Sequence, residues 1–65
     1  MFVRFYTEKK PYVFANRENI EYIEVEDDKY IIHFASGKFL EAPRSSDMNK
    51  RTVGQIEQET IHNLY

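Results

Sequence analysis

Hydrophobic and polar positions alternate in short blocks along the first two thirds of this chain, and then change period. Ile20 to Glu26 reads Ile-Glu-Tyr-Ile-Glu-Val-Glu, followed by Asp27-Asp28, Lys29 to Ala35, Ser36-Gly37 and Lys38 to Ala42. Apolar runs of strand length, separated by two-residue polar breaks, predict a three-stranded meander. Met1 to Tyr6 predicts a further strand, with Met1, Val3 and Phe5 on one face and Phe2, Arg4 and Tyr6 on the other. Thr7 to Pro11 is a polar turn, and Tyr12 to Ala15 is the next strand, with Tyr12 and Phe14 on one face. Asn16 to Asn19 is a second polar break whose asparagines tolerate left-handed backbone.

In the central stretch, period-two alternation assigns Ile23 and Val25 to one face, and Ile20, Tyr22, Glu24 and Glu26 to the other. Tyr30, Ile32 and Phe34 share a face, opposite Ile31, His33 and Ala35. Ser36-Gly37 is the clearest tight-turn signal, with Gly37 supplying a positive φ. Asp27-Asp28 predicts a glycine-free hairpin turn of type I within a longer loop.

After Pro43 the period becomes helical. Residues 43–47 form a linker in which Ser45, Ser46 or Asp47 can cap a helix over about 48–64. Val53, Ile56, Thr60, Ile61 and Leu64 make its apolar stripe. Gly54 either weakens this helix by roughly 1 kcal/mol against alanine or marks a close approach to the sheet. The expected fold is a single α+β domain over residues 1–65. It has a small antiparallel β-meander of four or five strands within 1–42, and one C-terminal helix covering it. The alternative is a small closed barrel whose interior takes most of the aromatics.

Composition narrows the function classes. The chain has 65 residues, no cysteine and a formal charge of −2. Disulfides and thiolate metal sites are excluded, and a reducing cytoplasm is the expected compartment. The first residues lack the basic start and apolar core of a signal peptide, and no apolar run approaches the ~20 residues that span a bilayer. Five Tyr and five Phe are many for so small a core. Phe2, Tyr6, Tyr12, Phe14 and Tyr22 would form a sizeable exposed patch if they lay on one side. A homodimer or another protein is the partner this predicts.

Candidate chemistries are few. Glu18, Glu21, Glu24, Glu26, Asp27 and Asp28 form an acidic run, but not with the spacing of a Ca²⁺ loop. A solvated strand face and hairpin tip, with Glu24 and Glu26 setting charge preference at an interface, is the reading favoured for it. His33 and His62 would have to converge with a carboxylate to make a zinc or catalytic site, and their spacing gives that no support. No catalytic, cofactor-binding or metal residue is expected, and a non-enzymatic protein follows. The alternative function is nucleic-acid binding by Lys38, Arg44, Lys50 and Arg51, with Ser45, Ser46, Asn49 and Thr52 following a phosphate backbone.

Ile20-x-Tyr22-Ile23-Glu24, Lys29-Tyr30-Ile31-Ile32-His33 and Ser36-Gly37-Lys38 resemble the opening strands of LytTR-type DNA-binding domains. The later basic, DNA-contacting segment of that family has no counterpart here, so the resemblance carries over no DNA-contact residue.

Overall fold

The computed structural model describes residues 1–64, with side chains placed through residue 60. Five strands and one helix follow in order: β1 (Phe2–Phe5), β2 (Val13–Asn16), β3 (Ile20–Val25), β4 (Lys29–Phe34), β5 (Phe39–Pro43) and α1 (Asp47–Leu64). This is the expected α+β fold. The strands form two antiparallel sheets, a β1–β2 ribbon and a three-stranded β3–β4–β5 meander, and they do not close into a barrel.

The break between the sheets is a single turn of 3₁₀ helix, Arg17–Asn19. Asn16 caps it, its side-chain oxygen accepting from the Glu18 amide at 3.2 Å. Neither asparagine uses left-handed backbone, because no non-glycine residue among those described has positive φ. The side-chain cap satisfies an amide that a left-handed turn would otherwise have to place.

The inner faces of both sheets meet in one core of Val3, Phe5, Ala15, Ile20, Tyr30, Ile32, Ala42 and Ile56, with Ile23, Phe34, Leu40 and Val53 packed against it. One expected face assignment is corrected. Ile20 is buried and Tyr22 is exposed, although period-two alternation puts them on the same face. The ladder pairs Ile20 with Phe34 and Tyr22 with His33, so Glu21 is an extra residue in a β-bulge. The bulge changes the phase of β3, sending Ile20 and Ile23 inward and Tyr22 and Glu24 outward.

Gly37 makes its turn as the sequence predicts. Its φ is +89°, its amide donates to the Phe34 carbonyl at 2.9 Å, and the Phe34 amide donates to Lys38 O at 2.9 Å. This is a type I turn closed by a glycine bulge. Space is open around Gly37, so Gly37→Ala strains only the backbone. It should cost about 1 kcal/mol in urea unfolding.

Helix α1 starts at Ser46, the residue preceding it. The Ser46 hydroxyl accepts from the Asn49 amide at 3.3 Å, and its carbonyl accepts from the Lys50 amide at 3.1 Å. Val53 and Ile56 face the core as expected, while the side chains of Ile61 and Leu64 lie outside the described residues. Gly54 is not a point of close approach, since a Cβ built there meets nothing within 4 Å. Gly54→Ala should therefore stabilise the protein by about 1 kcal/mol, raising the melting temperature by roughly 4–8 °C in a domain of this size.

Besides Val53 and Ile56 in the core, polar side chains fasten the helix to β1 and to the end of β5. Asn49 is fully buried. Its Oδ1 accepts from the Tyr6 amide at 2.8 Å, and its Nδ2 donates to the carbonyls of Tyr6 at 3.0 Å and Pro43 at 2.8 Å. One turn on, the Thr52 hydroxyl donates to Arg4 O at 2.8 Å. These bonds satisfy the edge of β1 that β2 leaves free, so the helix does for that edge what another strand would.

Candidate functional site

With the inner faces committed to the core, the chemistry left for a partner is on the two outer faces. The meander's outer face follows from its register. Tyr22 pairs with His33, and His33 pairs with Phe39 on its other side. Their rings form a row across three strands. Tyr22 and His33 stack at 4.2 Å between centroids and 12° between planes, and Phe39 follows at 6.3 Å and 38°. The next row is Glu24, Ile31 and Glu41. The Glu24 carboxylate contacts His33 Nε2 and fixes the ring from one side. Phe39 is 61% exposed and Tyr22 51%, so the ends of the row are open while its histidine is half-buried.

Lys29 and Glu41 pair below this row. The hydrogen bond to Glu41 holds the Lys29 ammonium above its ordinary pKa of 10.5, with smaller help from the charges of Glu26 and Asp28. A raised lysine pKa contributes stability that is fully present below the ordinary value and lost as pH rises through the raised one. Wild type should therefore keep a constant margin over Lys29→Met at neutral pH and lose it on alkaline titration, read from urea midpoints.

The ribbon's outer face is the second surface. Arg4 is paired with Phe14 and Phe2 with Asn16, which puts Phe2, Arg4 and Phe14 side by side. Tyr12 extends this row beyond the ribbon, and Phe2, Phe14 and Tyr12 are all close to two-thirds exposed. Arg51 and Met48 of α1 line a groove with Phe2 and Arg4.

The predicted interface residues therefore do not make one patch. Phe2 and Phe14 belong to the ribbon, with Tyr12 just beyond β2 and Tyr6 just beyond β1, its backbone held by Asn49, and Tyr22 belongs to the meander. The bulge at Glu21 puts Tyr22 on the meander's outer face, whose other aromatic, Phe39, carries no residue pattern that marks it. Of the acidic pair, Glu24 lies on the meander's outer face with His33, and Glu26 lies in the hairpin turn, its amide donating to Lys29 O at 2.9 Å.

The predicted basic cluster is likewise divided. The Arg44 guanidinium is committed to the β3–β4 turn, donating from Nη1 to Glu26 O at 2.7 Å and Asp27 O at 3.2 Å, and lying 5.8 Å over the Tyr30 ring. Its backbone amide donates to Asp28 O at 3.0 Å. Arg44 is a clamp on the acidic hairpin. Asn49 and Thr52, expected along a phosphate path, are buried in the bonds to β1. Lys50 and Arg51 are exposed on α1, and Lys38 is exposed in the Gly37 turn.

Among the described residues, no three His, Cys, Asp or Glu side chains converge to hold a metal ion. The side chain of His62 lies outside the described residues. No described helix is long and apolar enough to cross a membrane. No family model matches the chain, and neither the curated proteins nor the solved structures include a significant match to it.

Proposed function

We propose that this protein is a small non-enzymatic interaction module of the cytoplasm that self-associates and docks a protein partner through its exposed aromatic faces. The smallest self-associated form is a homodimer. The observation that carries this reading is the placement of Phe2, Phe14, Tyr22 and Phe39. Each is at least half exposed, on a sheet whose opposite face is already buried in the core. An isolated exposed apolar residue is ordinary, but aromatics grouped by strand register on both sheets are typical of surfaces that bury against a partner. Tyr and Phe bring large contact area at little conformational cost, which suits the centre of an interface.

The nucleic-acid reading retains one specific support. Arg4, Lys50 and Arg51 have no carboxylate partner among the described residues, and Arg4 lies beside Phe2 and Phe14. Base stacking on aromatics flanked by cations is a known mode for single strands.

Salt separates the two readings. Light scattering on wild type, Phe14→Ser and Phe39→Ser is the test. The variants should melt like wild type and show a lower average mass at equal concentration, with only modest loss on raising salt. Unchanged mass in both variants would sink the aromatic interface. Binding to an oligonucleotide that collapses with added salt would favour the alternative.

A further inference from the structure

The two outer faces are both aromatic, but their charges differ in sign. On the ribbon side, Phe2 and Phe14 flank Arg4, and Arg51 lines a groove with Phe2 and Arg4. Of the nearby acids, Glu18 is occupied by the N-terminal ammonium and Glu59 by Arg17, while Asp47, one turn before Arg51 on α1, is exposed and in no ion pair among the described residues. Arg4, Lys50 and Arg51 remain as cations without a carboxylate partner among the described residues.

The meander side is the reverse. Tyr22 and Phe39 sit with Glu24 and Glu41, and Glu21 projects at the bulge beside Tyr22. Glu26, Asp27 and Asp28 continue the acidic run at the hairpin. None of these three, nor Glu21, has a cationic side-chain partner among the described residues. The field is felt locally, since Glu26 and Asp28 help to keep Lys29 charged. The cations on this side are Lys29, which Glu41 already pairs, Lys38, in the turn before Phe39, Arg44, whose guanidinium is held by the hairpin carbonyls, and Lys9 and Lys10, which line a pocket with Phe39, Glu41 and Asp28. The other unpaired acids lie at the Glu21 bulge and the hairpin tip.

From this we infer that copies of the chain associate head to tail, the basic aromatic ribbon of one copy (Phe2, Arg4, Phe14, Arg51) docking on the acidic aromatic meander face of the next (Tyr22, Glu24, Phe39). The inference rests on the self-association reading and specifies its geometry. Pairing like with like would set Arg4 against Arg4, or the Glu21–Glu24 side against itself. Pairing unlike faces matches aromatic to aromatic and cation to carboxylate. Such a contact is heterologous, so each docking leaves one free face of each kind and assembly does not stop at two copies.

Sedimentation equilibrium of the full chain, wild type and two complementary variants, tests this. One variant breaks the ribbon (Arg4→Glu with Phe14→Ser) and the other breaks the meander face (Glu24→Lys with Phe39→Ser). Wild-type mass should climb with concentration past twice the 7.9 kDa of the chain, without a plateau there. Each variant alone should stay at 7.9 kDa. Their equimolar mixture should form a complex of twice that mass, because each supplies the face the other has lost.

The single changes Phe2→Ser and Tyr22→Ser form a second complementary pair, used if a double variant lacks the wild-type circular dichroism spectrum. A wild type that plateaus at twice the chain mass, with no complex in the mixture, overturns the head-to-tail geometry while leaving self-association standing. A wild type that remains monomeric throughout overturns both. An oligothymidylate that binds the wild type and blocks the mixed complex assigns the ribbon to nucleic acid, and also overturns the inference.

Discussion

Asn49→Ala should lower the melting temperature by roughly 10–20 °C, equivalent to about 3 kcal/mol in a domain of this size. Asn49 is fully buried and makes three hydrogen bonds, two to Tyr6 and one to Pro43. Alanine leaves the Tyr6 amide and carbonyl without partners and takes from the Pro43 carbonyl its shorter bond, leaving only the Ser46 amide at 3.4 Å; the cost of such orphaned groups exceeds the net worth of the bonds. Small single domains have only a few kcal/mol in total, so this one change removes a large share of the folding free energy. Thr52→Val, which loses a single bond to Arg4 O, should cost only about 1 kcal/mol. Thermal unfolding followed by circular dichroism measures both. An Asn49→Ala midpoint within a couple of degrees of wild type would mean that apolar contact through Val53 and Ile56, and not this polar junction, fixes the helix.

Phe5→Ala should cost about 3–5 kcal/mol and leave the chain largely unfolded at room temperature, whereas Phe14→Ala should cost less than about 1 kcal/mol. The two phenylalanines sit on adjacent strands of the same ribbon, Phe5 opposite Val13 and Phe14 opposite Arg4. One is fully buried and the other 64% exposed. Removing the Phe5 ring opens a cavity in a core to which eight buried side chains among the described residues belong. Removing the Phe14 ring takes apolar area from solvent and should change association instead of folding. Urea midpoints for the pair, with average mass measured alongside, separate the structural aromatics from the interfacial ones. Equal destabilisation by both changes would show that the outer face of the ribbon is part of the core after all.

Which aromatics are structural was legible on the ribbon, because period-two alternation runs through it unbroken: Val3 and Phe5 point in, Phe2 points out. The Gly37 turn was legible too, since positive φ has a residue-level signature. The meander's phase was not. A bulge adds one residue with no compositional mark, so Ile20 reads as sharing the outer face of Tyr22 and Glu24, whereas it is buried.

Asn49 and Thr52 were missed for a different reason. They lie three residues apart, and Thr52 and Asn49 extend the Val53–Ile56 stripe back toward the helix start, yet their polarity suggested solvent. The signal that could have found them is their position: polar residues on the buried stripe of a helix that follows an edge strand. In the sequence Arg44 is a candidate nucleic-acid contact beside Lys38, Lys50 and Arg51, because the carbonyl oxygens that hold it leave no trace there. The division into ribbon and meander depends on the 3₁₀ turn at Arg17–Asn19, where the sequence shows only a polar break.

That the outer aromatic faces are binding surfaces can be checked on the unmodified protein by recording its amide and aromatic NMR spectra from micromolar to millimolar concentration. Signals of Phe2, Phe14, Tyr22 and Phe39 should shift or broaden together as concentration rises, while those of the core residues Phe5 and Ile32 stay in place. A spectrum independent of concentration at every one of these positions would contradict self-association through either face.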